Sequence, residues 1–338
     1  MMKKIVTLGE IMLRLSTHAG ERLWQSDQLT MHYGGGEANV GISLSHFGHD
    51  VYFVSKVPDN ALGRGVNRHL QSHGVHTNYL LTGGERLGTY YLESGVGERS
   101  TKVTYDRKYS SFSTLKMEDL NLEEIFHDAT LFHVSGITLA LSPTLRELTL
   151  LALKKAKEKG IKTSFDFNYR ATLWSQKEAS QAIKPLLPYL DICFCGELDA
   201  IHLLSIEEAE DSLSETERLE YYYDKIKEMY PNIQYMSSTF RHVISASVNT
   251  LQGNLYVDGN LYQSKVHHID QIVDRVGGGD AFAAGVLHRI VNQSSLQQII
   301  SFATAASALK HTVHGDCNAF SEKEILEFID NGIGKIVR

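Results

Sequence analysis

The densest chemistry in the chain lies in Gly277-Gly278-Gly279-Asp280, a glycine triplet closed by an acid and followed by the small-residue run Ala281-Phe282-Ala283-Ala284-Gly285. Three glycines free the backbone to take positive φ and bring its N–H groups against a ligand, and a helix starting there adds the positive end of its dipole. Together these suit an anion such as a phosphate. An aspartate beside a bound anion would repel it unless a metal stands between them or the carboxylate has chemical work of its own, so Asp280 is a candidate general base. The same four residues would also serve as a plain turn with a helix-capping acid, and alone they do not separate the two readings. A second glycine cluster lies near the other end: Gly34-Gly35-Gly36, then Glu37-Ala38-Asn39 and an apolar face of Val40, Leu44 and Phe47 that ends at Gly48. It reads as a strand end, a glycine turn and a helix with Gly48 at its C-terminal cap.

Positioning these clusters falls to alternating strands and helices. Lys4–Leu8, Val51–Val54, Asn78–Leu81, Leu131–Val134, Lys162–Phe167 and Asp191–Phe194 read as short strands, and Ile11–Leu15 as a continuation of the first. Leu62–His73, the segment from Ser142-Pro143 to Gly160, Gln176–Leu187, Gln297–His311 and Glu322–Ile329 read as helices. Ile233–Met236, Val243–Ser247 and Leu255–Val257 add strands, and the acidic stretch Glu207–Glu220 reads as a solvated helix surface. This rhythm predicts an α/β fold. Between Gly88 and Tyr105 it gives way to alternation in Thr89–Glu93 and Ser100–Tyr105 about Gly95-Val96-Gly97, the pattern of a hairpin. Such an insert predicts a lid over the strand ends or an edge hairpin without a role. Without linkers or repeats, residues 1–338 are expected to form one large domain.

Acidic residues outnumber basic ones by 40 to 33, which leaves none of the basic surplus expected of a nucleic-acid or anionic-membrane binder. No apolar run reaches the roughly 18 residues of a membrane span, and Met1-Met2-Lys3-Lys4 leads straight into a strand, so a cytoplasmic protein with a small-molecule ligand is expected. Cys193 and Cys195 sit two apart in an apolar run, as inert core thiols would, and with Cys317 they are too few for a disulfide framework. The histidines show no metal-ligand spacing, so no zinc site is expected. No G-x-x-x-x-G-K-[ST] is present, and Phe282 stands where G-x-G-x-x-G needs its last glycine.

In their order the two clusters resemble the signatures of the ribokinase-like (PfkB) family of small-molecule kinases. Gly34-Gly35-Gly36-x-Ala38-Asn39, with its helix ending Phe47-Gly48, is similar to the N-terminal signature. Asp274-x-x-Gly277-Gly278-Gly279-Asp280-Ala281-Phe282-x-x-Gly285 is similar to the C-terminal one. The resemblance covers essentially the whole chain. It implies a three-layer α/β/α fold with a mostly parallel central sheet, and a small β-sheet lid formed by segments about 11–34 and 88–110. It also implies ATP and Mg²⁺, with a monovalent cation left open, and a carbohydrate hydroxyl as acceptor. In the family pattern Asp280 takes the hydroxyl proton while the amides of Gly277, Gly278 and Gly279 form an anion hole, which matches what phosphoryl transfer requires.

Within the family, Gly9-Glu10-Ile11-Met12-Leu13-Arg14, Tyr105-x-Arg107 and Asp166-x-Asn168-x-Arg170-x-x-Leu173-Trp174 are most similar to 2-keto-3-deoxygluconate kinases. A sugar-acid carboxylate suits a planar, bidentate guanidinium, which assigns Arg107 and Arg170 to it. The resemblance further places Tyr90 and Tyr105 against the sugar, Gly35, Gly36 and Asn39 at its hydroxyls, Asp316 near the acceptor and Asn168 toward the nucleotide. Two motifs depart from the pattern. Cys195-Gly196-Glu197-Leu198-Asp199 replaces an Asn-x-x-Glu metal motif, leaving Glu197 to reach Mg²⁺ through water. Ser237-Ser238-Thr239-Phe240-Arg241-His242 replaces Lys-x-Gly-x-x-Gly, leaving Thr239 and Arg241 as phosphate contacts. The expected activity is ATP-dependent phosphorylation of the terminal primary hydroxyl of 2-keto-3-deoxygluconate. Another sugar specificity, chiefly fructose, is the alternative, and a non-catalytic sugar-binding protein on the same fold is a further one. Exposed lid edges predict a homo-oligomer, a dimer or higher.

Overall fold

The structure is a computed structural model that describes residues 3–332; Met1 and Met2, read above as leading into the first strand, and residues 333–338 lie outside the described residues. The chain opens with β1 (Lys4–Leu8), β2 (Met12–Ser16), β3 (Thr30–Gly34), α1 (Gly36–His46), β4 (Asp50–Val57), α2 (Ala61–Ser72) and β5 (Leu80–Thr82). The alternating segment supplies β6 (Thr89–Glu93) and β7 (Lys102–Asp106). After α3 (Leu122–Ile125) come β8 (Ala129–Ser135), α4 (Gly136–Leu141), α5 (Pro143–Glu158), β9 (Lys162–Asp166), α6 (Gln176–Ile183), β10 (Ile192–Phe194), α7 (Glu197–His202) and α8 (Glu215–Met229). An antiparallel run, β11 (Tyr235–Val243), β12 (Asn249–Val257), β13 (Asn260–Gln263) and β14 (His267–Ile269), precedes α9 (Gly278–Val291), α10 (Leu296–Lys310) and α11 (Glu322–Asn331).

The central sheet runs β13-β12-β11-β10-β9-β8-β1-β4-β5, with β14 also on β12, and every pairing from β11 through β5 is parallel. Its middle strands are apolar on both faces because both are covered. Val6, Leu8, Phe132, Val134 and Phe165 pack with Leu145, Leu148, Ala179 and Leu219 on one side. Ile5, Val51, Phe53 and Leu131 pack with Val40, Leu44, Val286 and Phe302 on the other. Gly285 has a packing reason to be glycine, since a Cβ there would come within 2.6 Å of the Ala303 Cα where α9 crosses α10. A separate four-stranded sheet, β3-β2-β6-β7, is antiparallel except between β2 and β6. Its Met12, Tyr90 and Leu92 face inward and pack on Val276, next to the glycine triplet, while β7 is exposed along its length.

Several sequence expectations are corrected. The helix expected over Gln176–Leu187 ends at Ile183 and passes into a 3₁₀ segment, Lys184–Tyr189, because Pro185 and Pro188 cannot donate backbone hydrogen bonds. The acidic stretch from Glu207 is loop until Ser214 caps α8, so only its last part is helical. Ile233–Met236 and Val243–Ser247 are not two strands: β11 runs unbroken from Tyr235 to Val243, paired from Met236↔Tyr256 to Val243↔Asn249. That continuous register carries the polar Ser237–His242 into a strand that their side chains do not advertise. Ile11–Leu15 does not extend the first strand; the chain leaves β1 at Gly9 and enters the small sheet.

His133, fully buried on β8, shares a 2.9 Å hydrogen bond with Ser164 Oγ, and burial pushes its pKa down to about 3. A base whose folded pKa is depressed contributes stability above its unfolded pKa, near 6.5, and loses it as pH falls toward the folded value. The stability gap between wild type and His133→Gln is therefore expected to shrink by about 2 kcal/mol between pH 6.5 and pH 5. Paired thermal melts check this, and a gap that stays constant with pH would refute it.

Candidate active site

The carboxyl ends of the parallel strands and the inner face of the small sheet enclose two cavities, of about 420 and 670 Å³, that share Asp166, Asn168, Arg170, Arg241 and Gly279 as walls. Sites at strand carboxyl ends are the general rule for such sheets. The two glycine clusters meet at this junction. Gly277 adopts φ 82° and ψ 0°, and a Cβ there would overlap the Asp316 carbonyl oxygen, so only glycine makes this turn. Gly277 and Gly279 then line the first cavity. Gly278 lines neither: its N–H turns back toward the Arg275 carbonyl at 3.4 Å and its Cα packs on His311. Two of the three expected glycines thus border the cavity, at the start of α9 where first-turn N–H groups lack intrahelical partners.

Asp280, in the first turn of α9, is half-buried, and its Oδ2 accepts a 2.7 Å hydrogen bond from Asn39 Nδ2 on α1. Burial pushes its pKa up to about 6, against the pull of Asn39 and Arg170, while Asp316 and Glu37 add to the rise. Gly36 lies directly beside the acid: a Cβ there would stand in ordinary contact, 3.7 Å from Asp280 Oδ1. Asp166 ends β9 at the junction, and its pKa is pushed up to about 8 by burial and by the Asp280 charge. Asp199 is pushed up to about 6 by burial even though it caps the Gly196 N–H at 2.9 Å.

The basic residues divide into two sets. Arg107 is buried and committed: its Nε donates to Glu10 Oε2 at 2.8 Å, Nη2 donates to the same oxygen, and Tyr105 lies 5.5 Å away across its ring. Arg14 is likewise buried, with Nη2 2.6 Å from Asp274 and Nη1 2.8 Å from Asp316, which also accepts from the Tyr90 hydroxyl. One guanidinium thus serves two carboxylates; burial opposes the Arg14 charge, Asp316 and Asp274 more than restore it, and Asp316 itself is pushed up by burial. Arg170, Arg241 and Arg275 all face the first cavity, and among the described residues none has a carboxylate partner within 4.0 Å. Arg275 is held only by the Ala246 and Ser245 carbonyls and Asn249 Oδ1, and Arg170 by the Tyr169 carbonyl.

Every site residue named from the sequence except Gly278 lines one of these cavities. Gly35, Gly36, Asn39, Tyr90, Tyr105, Arg107 and Asp316 line the first, Thr239 and Glu197 the second, and Asn168, Arg170 and Arg241 both. Glu197 is engaged by Arg218 at 3.2 Å and Glu215 by His242, so the acids of the second cavity without a basic partner among the described residues are Asp166 and Asp199. Neither had been given a role from sequence. The available signal was position, since Asp166 closes a buried strand at the open edge of a parallel sheet. Among the described residues no three His, Cys, Asp or Glu side chains converge to hold a metal alone. Mg²⁺ in phosphoryl-transfer sites commonly takes one or two carboxylates and completes its shell from water and phosphate, and Asp166 and Asp199 fit that donor set. Among the same residues no helix is long and apolar enough to cross a membrane.

Comparison with known proteins agrees with this geometry. The family described as pfkB family carbohydrate kinase matches residues 2–323. The 2-dehydro-3-deoxygalactonokinase of Haloferax volcanii is 33% identical over 338 residues, covering 100% of both chains. Fructokinase-1 of Zea mays is 29% identical, over 96% of this chain and 97% of its own. The crystal structure of 2-dehydro-3-deoxygluconokinase from Thermotoga maritima matches with TM-score 0.93 at 40% identity, covering 97% of this chain and 99% of that one.

Proposed function

Because the chain belongs to the pfkB family of carbohydrate kinases, we propose that it transfers phosphate from ATP to the terminal primary hydroxyl of a 2-keto-3-deoxy sugar acid, with 2-keto-3-deoxygluconate as the leading substrate. The observation that carries the acidic substrate is the set of three guanidiniums, Arg170, Arg241 and Arg275, facing the first cavity without carboxylate partners among the described residues. Arg170 and Arg241 are exposed and Arg275 is half-buried; three unpaired cations facing one cavity attract anions, and a sugar carboxylate and a transferring phosphoryl group supply two. A neutral ketose supplies only one. The first cavity, with Asn39, Gly35 and Asp280, takes the sugar, and the second, with Thr239, takes the nucleotide.

At the junction Asp280 accepts the hydroxyl proton. Gly277 and Gly279, with Arg241, face the charge that develops on the transferring group, while Arg170 takes the substrate carboxylate. Asp166 and Asp199, with Glu197 acting through water, would hold Mg²⁺, which would supply charge neutralisation for the phosphates there. The second reading, a fructokinase, is favoured by Arg107: Glu10 already neutralises it, so this arginine alone demands no acidic substrate. We further propose a cytoplasmic homo-oligomer formed through the small sheet, whose edge strand β7 is exposed along its length and whose Met31 on β3 is 54% exposed.

The test is ADP release over a panel of 2-keto-3-deoxygluconate, its galactonate epimer, fructose, ribose and adenosine. The sugar acids are expected to show the highest kcat/KM. Arg170→Ala is expected to raise KM for them by about 10-fold or more, consistent with losing a charge-assisted hydrogen bond, and to leave fructose nearly unaffected. Higher kcat/KM for fructose, or equal damage to both substrates, would overturn the sugar-acid reading.

A further inference from the structure

Asn39 is 2% exposed and must present one end of its amide to Asp280. With Nδ2 donating to Asp280 Oδ2 at 2.7 Å, Oδ1 points the other way and needs donors of its own. Two stand there: the Gly35 N–H at a long 3.4 Å and Cys317 Sγ at 3.5 Å. Sulfur in turn lies 3.8 Å from His69 Nε2. Cys317 and His69 line neither cavity of the active site. They face the opposite side, a cleft of about 220 Å³ walled by Met31, His32, Tyr33, His73 and His314.

We propose that Cys317 and His69 are positioning residues for Asp280, acting through Asn39. The proposal rests on Asp280 being the base. His69 Nε2–H donates to sulfur, the S–H donates to Asn39 Oδ1, and Asn39 Nδ2–H donates to the Asp280 carboxylate. All three donors run in one sense and end on the negative charge, so each polarises the next. Burial, with the Asp316 charge adding, pushes the Cys317 thiol up, and burial beside His73 and His32 pushes His69 down to about 4. The thiol therefore keeps its proton and the imidazole stays neutral, as the relay requires. Without the sulfur donor, Asn39 Oδ1 keeps only the long Gly35 N–H bond, and the amide is held less firmly with Nδ2 on the carboxylate.

Cys317→Ala is expected to lower kcat about 3-fold with both KM values unchanged, and to move the acid limb of the kcat profile up by about 0.5 pH unit, the same factor in free energy. Arg170, Asp316, Glu37 and Asp166, the charged groups around Asp280, are untouched by the substitution. Cys317→Ser keeps a donor and should return the limb most of the way. In an Asn39→Ala background, Cys317→Ala should cost nothing more, because the link is already cut. An unmoved limb, or full additivity with Asn39→Ala, would overturn the relay. Should Cys317→Ala fail to fold, His69→Phe carries the same limb test. Asp280→Asn separates the two levels: near-normal turnover removes the base reading itself, whereas an inactive Asp280→Asn beside a silent Cys317→Ala removes only the relay.

Discussion

Asp280→Asn is expected to lower kcat at least about 10²-fold while KM for the sugar stays within about 2-fold, the pattern of a lost general base in an intact site. The substitution keeps shape and burial. Its amide oxygen can still accept from Asn39, so binding geometry survives while proton acceptance does not. In wild type, kcat is expected to fall about tenfold per pH unit as pH drops below about 6, where burial has placed the Asp280 pKa. The same residue makes a stability prediction of opposite direction. An acid whose folded pKa is raised contributes stability below its unfolded pKa and loses that contribution as pH rises through the folded value. At pH 7 the half-buried Asp280 carboxylate, moved from 3.8 to about 6, costs up to about 3 kcal/mol. Asparagine carries no such cost, so the inactive variant should melt a few degrees higher than wild type. Steady-state kinetics and thermal melts check both halves. Turnover within about 10-fold of wild type would sink the base assignment, and a lower melting point would sink the account of its burial.

The parts of this site that could be read from sequence are those whose chemistry is local. A glycine triplet, an acid at a helix start and the strand–turn–helix rhythm all sit within a few residues of one another. Gly277 is legible because the positive φ belongs to that residue alone. Gly278 is not, because its Cα is packed against His311, which is distant in the chain. Arg107 illustrates the same limit. Its charge predicted a substrate carboxylate, yet its partner Glu10 lies 97 positions away on the loop leaving β1, and no pattern of spacing records that pairing. Asp166 stood in plain view within a quoted motif. Its raised pKa comes from burial and from the closeness of Asp280 across the fold, both of them tertiary facts. The polar strand Ser237–His242 is hidden for a related reason, since its strand character comes from pairing with β12.

Arg14→Met is expected to be the most destabilising of these substitutions, lowering the melting temperature by about 5–10 °C, as loss of about 3–5 kcal/mol would in a chain of this size. Arg14 is 3% exposed and joins β2 of the small sheet to two points of the central domain, Asp274 ahead of the glycine turn and Asp316 beneath it. Removing it leaves two buried carboxylates facing each other. Asp274 keeps the Val276 and Gly315 amides, and Asp316 keeps the Tyr90 hydroxyl, so the acids remain tied in place without the charge that balanced them. The deficit should therefore be largest near pH 7 and shrink toward pH 4 as the abandoned acids take up protons. Because Asp316 and Gly277 touch through the turn, kcat should fall with stability even at temperatures where the variant is folded. Arg14→Lys, which can reach one acid but not fork between two, should recover part of the loss. Adding Asp274→Asn to Arg14→Met should recover a further part by removing one of the stranded charges. A melting point for Arg14→Met within about 2 °C of wild type, or a deficit that does not change with pH, would show that the small sheet is held to the domain by apolar packing of Met12, Tyr90 and Leu92 on Val276 instead.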